Sequence, residues 1–179
     1  VYSIDESFLD MSGIADSVAL GREMGARVLQ LTHIRVCVGI ASTKTRAKLA
    51  NHIAKKSKKS QGVFNLEQLT PEQEARLLSK IDVGNVWGVG RRISDRLSRM
   101  GILTVHDLMR CDPEVMRQHF SIVLARTVSE LQGVSCLSME DVAPPKKQIM
   151  VSRSFGELVT RYEDLREAVV HYVIRAGEK

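Results

Sequence analysis

The chain has 179 residues, of which 44% are hydrophobic and 26% charged, with a formal net charge of +5. That length suits one compact body with smaller modules, and the apolar content excludes wholesale disorder. No apolar run approaches the ~20 residues of a membrane-spanning helix. The three cysteines, Cys37, Cys111 and Cys136, lack CxxC or Cys/His spacing, so they indicate neither a disulfide framework nor a zinc site and point to a reducing, cytoplasmic setting.

In chain order, residues 1–10 (VYSIDESFLD) place Tyr2, Ile4 and Phe8 on one side, which predicts a strand or hairpin ended by Gly13. The chain starts without Met and directly in this run, so it reads as a fragment. A weak helix follows, with Leu20, Met24, Val28 and Leu31 at helical spacing. Ile34, Val36, Val38 and Ile40 then alternate with Arg35, Cys37 and Gly39 as a second strand. Ser42 or Thr43 caps a helix running to about Lys58, and residues 63–66 form a short strand.

Beyond Thr70 the pattern is wholly helical. Pro71 stands in a first helical turn, Thr104 with Asp107 resembles a capping box, and Asp112-Pro113 reads as N-cap followed by N1. This segment ends near Gly133. The stretch around APPKKQ is an expected linker, because two prolines and two lysines stop a helix. A strand over 149–155 and a helix from Tyr162 to about Gly177 complete the chain.

Three groups of residues carry chemistry. The first is the pair Asp5 and Glu6. Neighbours on a regular strand point to opposite faces, so the two carboxylates converge only at a bulge or hairpin end. Their mutual repulsion is relieved by a hard cation such as Mg²⁺ or Mn²⁺. With substrate phosphates as further ligands, two such ions would align an attacking hydroxyl and a leaving pyrophosphate. A charged hairpin tip is the alternative.

The second group lies in GIASTKTRAKLANHIAKK. At 100° per residue, Lys44, Lys48, Asn51 and Lys55 fall within about 60° of one another, and Ala47, Leu49, Ala50, Ile53 and Ala54 form the other arc. Residues 42–60 contain no acidic side chain, so this face suits a phosphate partner; a solvated helix face is the alternative. Lys44 and Lys55 are ~16 Å apart along the axis, too far for one triphosphate to meet every lysine.

The third is VWGVGRRISDRLSRMG. Trp87, Gly88-Val89-Gly90 and an amphipathic helix with Ile93, Leu97 and Met100 have the layout of a helix-hairpin-helix. Its tight glycine turn and helix start can hold a nucleic-acid phosphate without reading sequence. Arg91, Arg92, Arg96 and Arg99 add attraction. Trp87 is either core packing or a stacking platform.

These motifs, in this order, resemble the Y-family translesion DNA polymerases, in particular their UmuC branch, the catalytic subunits of DNA polymerase V. YSIDESFLD looks like the family's palm motif with two of three metal-binding carboxylates, and VGIASTKTRAKLANHIAKK like its palm helix. VWGVGRRISDRL looks like its thumb hairpin, and SRSFGE like the first strand of its little finger. The resemblance implies that Asp5 and Glu6 are catalytic and coordinate Mg²⁺ in a two-metal site, incomplete in this chain. It also implies that Lys55 contacts the nucleotide triphosphate, and that Gly88, Val89, Gly90, Arg91, Lys44, Lys48 and Arg153 face DNA. Arg46 stands where the family more often has an apolar residue, which bears on the local packing.

The implied fold is mixed α/β and α: a partial α/β palm at 1–70, an all-helical thumb at 71–137, a linker at 138–147 and the start of an α+β little finger at 148–179. The implied activity is error-prone, template-directed synthesis past damaged DNA in an SOS-type repair setting, with this segment inactive by itself. The family's third carboxylate, steric gate and fingers precede YSIDE and are not in this chain. The implied partners are damaged primer-template DNA, dNTP, accessory subunits of a polymerase V-type complex, a recombinase filament and a sliding clamp. Two other classes fit the same residues: a non-catalytic helix-hairpin-helix DNA-binding module, and a metal-dependent phosphodiesterase.

Overall fold

A computed structural model describes residues 5–138 and 148–178. The chain divides into two compact units, residues 1–139 and 140–179. In the first unit the order is α1 (Ser17–Thr32), β1 (Val38–Ile40), α2 (Lys44–Lys56), β2 (Val63–Asn65), α3 (Pro71–Leu78), α4 (Arg91–Arg99), α5 (Val105–Met109), α6 (Pro113–His119) and α7 (Ile122–Leu131). The second unit carries α8 (Tyr162–Gly177).

β1 and β2 pair in parallel, Val38 opposite Val63 and Ile40 opposite Asn65, with α2 as the crossover between them. Gly39 is dictated by this crossover. A Cβ there would lie 2.1 Å from the Asn51 amide nitrogen and 2.2 Å from the Ala47 carbonyl oxygen, so only a residue without a side chain lets α2 lie this close. Asn51 reinforces the contact by donating from Nδ2 to the Cys37 carbonyl at 2.7 Å, and so turns to the sheet and not to the lysines.

The helix ends follow local rules. Thr43, and not Ser42, caps α2 by accepting from the Arg46 amide, and Ser57 ends it two residues after Lys55. Thr70 and Gln73 make a reciprocal capping box with Pro71 in the first turn of α3, and Thr104 and Asp107 make another on α5. Asp112 caps α6 with Pro113 at N1. One continuous core runs through the unit: Leu49, Ala50 and Ile53 of α2 join Leu66, Leu78, Leu97, Leu108, Leu124 and Leu131.

Three predicted strands are corrected. Residues 5–10 form no strand, and residues 1–4 of that run lie outside the described residues. The second strand shrinks from 34–40 to Val38–Ile40, leaving Ile34 and Val36 exposed. Residues 149–155 are irregular, so the expected strand opening an α+β domain is absent among the described residues. The physical reason is common to all three. Alternation specifies two faces, but a strand persists only where a neighbouring ladder takes its N–H and C=O groups. Among the described residues that ladder is β1 with β2. The expected linker at 138–147 lies outside the described residues apart from Ser138.

Candidate nucleotidyl-transfer and DNA-binding site

The segment through Asp5, Glu6 and Phe8 has no regular structure, yet it is held against α2. The Lys48 ammonium pairs with the Glu6 carboxylate, and the Lys44 ammonium sits 5.3 Å from the centre of the Phe8 ring. The spacing makes both contacts possible at once. Lys44 and Lys48 are one helical turn apart, ~6 Å, and Glu6 and Phe8, two residues apart, span at most ~7 Å. The segment therefore runs antiparallel to α2 with matched register. Asp5 is exposed and Glu6 half-buried.

The glycine hairpin reaches the same place from the other side. Trp87 lies 6.0 Å from Phe8, ring centre to ring centre, and 5.4 Å from the Lys48 ammonium. Lys48 thus stands between an indole face and a carboxylate, with its side chain 19% exposed. Three segments separated by roughly 40 residues each, which the sequence presents as independent motifs, meet at this lysine. The charge of Lys48, which no acidic residue within 42–60 offsets, is offset by Glu6. Lys44 also donates to the Ser138 carbonyl at 2.7 Å. Lys55 is exposed near the end of α2. Burial, then Lys56 and Lys55, hold the neighbouring His52 below its ordinary pKa, a sign of the positive field there.

In the hairpin, Gly88 has φ +87°, the left-handed region that favours glycine, while Val89 is buried as its anchor. Gly90 is the N-cap of α4 without a side-chain cap, and its Cα faces open space. Arg91, Arg92 and Arg99 are exposed. Arg96 differs: its guanidinium stacks 4.4 Å over Phe120 and donates to the His119 carbonyl at 2.6 Å, binding α4 to α6. Arg153 is exposed in the irregular part of the second unit.

Two features escaped the sequence reading. Arg46 is buried, its guanidinium bonded to Glu67 at 3.1 Å, Glu74 at 2.7 Å and the Leu131 carbonyl at 3.0 Å. It joins α2 to α3 and α7, which is how the packing around this unusual arginine is resolved. Glu130 of α7 is fully buried and receives the Thr45 amide at the start of α2. The available signal for the second was that Glu130 is the one acidic residue of α7; for the first it was an arginine where the resembled family more often has an apolar residue.

Asp5 and Glu6 supply hard oxygen donors of the right chemistry for Mg²⁺, but as a partial set. Among the described residues no group of three His, Cys, Asp or Glu could enclose a metal ion.

The profile of the impB/mucB/samB family, designated IMS, matches residues 1–52. Protein UmuC of Salmonella typhimurium is 51% identical over the whole of this chain and 43% of its own length. Over its whole length the chain is similar to the UmuC branch of the Y-family polymerases. Protein MucB of Escherichia coli is 45% identical over 99% of the chain and 43% of its own length. A solved insertion ternary complex of Dbh DNA polymerase matches 69% of the chain and 34% of that protein, at 25% identity and a TM-score of 0.51. The mostly helical architecture with a small parallel sheet is that of the palm and thumb region of the family. The chain spans less than half the length of the curated relatives it matches.

Proposed function

We propose that the protein carrying this chain is a DNA-directed DNA polymerase that extends primers past damaged template bases. The observation that carries this reading is the meeting of Glu6, Lys48 and Trp87, which brings the carboxylate motif, the lysine helix and the glycine hairpin into one site. Residues 1–70 would belong to the palm, 71–137 to the thumb, 138–147 to a linker and 148–179 to a little finger.

In this reading Asp5 and Glu6 hold Mg²⁺ together with ligands from elsewhere in the whole protein. The ions, when bound, lower the barrier to attack of a primer hydroxyl on a nucleotide. Lys55, exposed at the far end of α2, offers its ammonium to the triphosphate. The Gly88 to Gly90 turn and Arg91 present backbone N–H groups and positive charge to a DNA phosphate, a grip indifferent to base sequence and weakened by salt. Lys44, Lys48 and Arg153 would add to the positive field facing the duplex. Damaged primer-template DNA and dNTP are the substrates, and accessory subunits, a recombinase filament and a sliding clamp are the expected partners. The expected location is cytoplasmic, and no described helix is long and apolar enough to cross a membrane. This segment alone is expected to be inactive.

Primer extension by the full-length protein on an abasic-site template, with Mg²⁺ and candidate activators, tests the reading. Extension that disappears in Asp5→Ala and Glu6→Ala supports it. DNA binding without extension, unaffected by either substitution, replaces it with a binding module, and template-independent release of nucleotides replaces it with a phosphodiesterase.

A further inference from the structure

We propose that Lys48 is the resting counter-ion of Glu6, parked against the indole face of Trp87, and that it gives up the carboxylate when a divalent cation binds there. The inference rests on the reading of Asp5 and Glu6 as cation ligands and assigns Lys48 a part other than touching DNA.

Two adjacent carboxylates repel each other and any further negative charge until a cation neutralises them. In this structure the neutralising charge comes from the chain itself. The Lys48 ammonium lies on Glu6, with the lysine side chain 19% and the glutamate side chain 36% exposed, so the pair is only partly solvated. The ring of Trp87, its centre 5.4 Å away, also attracts the ammonium through its quadrupole. Lys44 makes the equivalent arrangement with Phe8, pinning the segment two residues further on. Phe8 and Trp87 touch each other, so among the described residues the two rings, the two ammonium groups and the Glu6 carboxylate form one cluster.

The consequence is competition. A divalent cation and Lys48 are alternative partners for the same oxygens, and a positive charge left beside the site weakens cation binding. Trp87 belongs to the hairpin that precedes α4, so the position of the hairpin sets how firmly Lys48 is held. Lys48 is therefore a positioning residue that links the hairpin to the carboxylates.

Mn²⁺ binding to the full-length protein without nucleotide, counted by electron paramagnetic resonance, tests this independently of catalysis. Lys48→Met is expected to tighten the Glu6-dependent Mn²⁺ site at least threefold, Lys48→Gln to do the same, and Lys48→Arg, which keeps the charge, to stay near wild type. In a Trp87→Leu background the effect of Lys48→Met should shrink. Unchanged or weaker Mn²⁺ binding in both neutral variants overturns the inference while leaving the proposed function standing. Absence in the wild type of any Mn²⁺ site sensitive to Glu6→Ala overturns both.

Discussion

The Glu130 carboxylate on α7 accepts the backbone N–H of Thr45, in the first turn of α2, at 2.8 Å. Its other oxygen accepts the amides of Cys136 and Leu137 at 2.9 and 3.1 Å, and its own carbonyl accepts the Thr43 hydroxyl at 2.9 Å. Amide donors and the positive end of a helix dipole suit a carboxylate in a fully buried position. Through this one residue α7 caps the helix that carries the lysines.

Glu130→Gln keeps the shape but turns one acceptor into a donor that faces amide hydrogens. It should destabilise by about 1–3 kcal/mol, with faster amide exchange around Thr45 and Cys136 in hydrogen–deuterium mass spectrometry. Exchange confined to its wild-type rate in both places would show that the carboxylate does not hold the two helices.

Gly39 and Gly25 should respond oppositely to alanine. At Gly39 the methyl would run into the backbone of α2, and overpacking of that kind costs about 3 kcal/mol or more. At Gly25, inside α1, it meets nothing within 4 Å, and the substitution should stabilise by about 0.5–1 kcal/mol. Thermal melts of the two variants of the full-length protein make the comparison.

Arg91 and Arg96 lie on one helix but should separate in a salt titration. Arg91→Ala is expected to weaken DNA binding and reduce the slope of log affinity against log salt by about one. Arg96→Ala removes the stack on Phe120 and the bond to the His119 carbonyl, so it should lower the melting temperature and leave the slope nearly unchanged. Fluorescence anisotropy at several salt concentrations, beside melting curves, distinguishes them.

Acid should loosen the fold in two stages. Burial, then Lys56 and Lys55, depress the His52 pKa below 6.5, so the unfolded chain binds the extra proton first and stability falls as pH drops below that value. Burial would raise the Glu67 pKa, but the amide and hydroxyl of Ser42 and the charge of Arg46 bring it below 4.5. Its contribution is present above that ordinary value and is lost as pH falls through the lowered one. His52→Gln should flatten the first stage, and Glu67→Gln the second, in melting temperature against pH.

Most of the helical half was legible because its signals are local. Pro71 in a first turn, Thr104 with Asp107 and Asp112-Pro113 each mark a helix start within four residues. The lysine face of α2 was legible from its period, and four of its five expected core positions, Leu49, Ala50, Ile53 and Ala54, are buried. The strands were overread because Ile34, Val36 and Ile149 alternate correctly but have no described neighbour to pair with. The partners of Lys48 and Arg46 lie more than 20 residues away in sequence, and no spacing rule reaches that far. The glycine hairpin was legible; the stacking of Trp87 with Phe8 was not.

The network of buried Arg46 with half-buried Glu74 and exposed Glu67 also constrains how this sequence can change over time. A mutation that replaces the arginine alone strands two carboxylates, and one that replaces either acid leaves a guanidinium short of a partner in the interior. The least costly route to an apolar residue at position 46 passes through the acids first, beginning with the more exposed Glu67. Substitution at these three sites is thus ordered, with the arginine the last to be replaced.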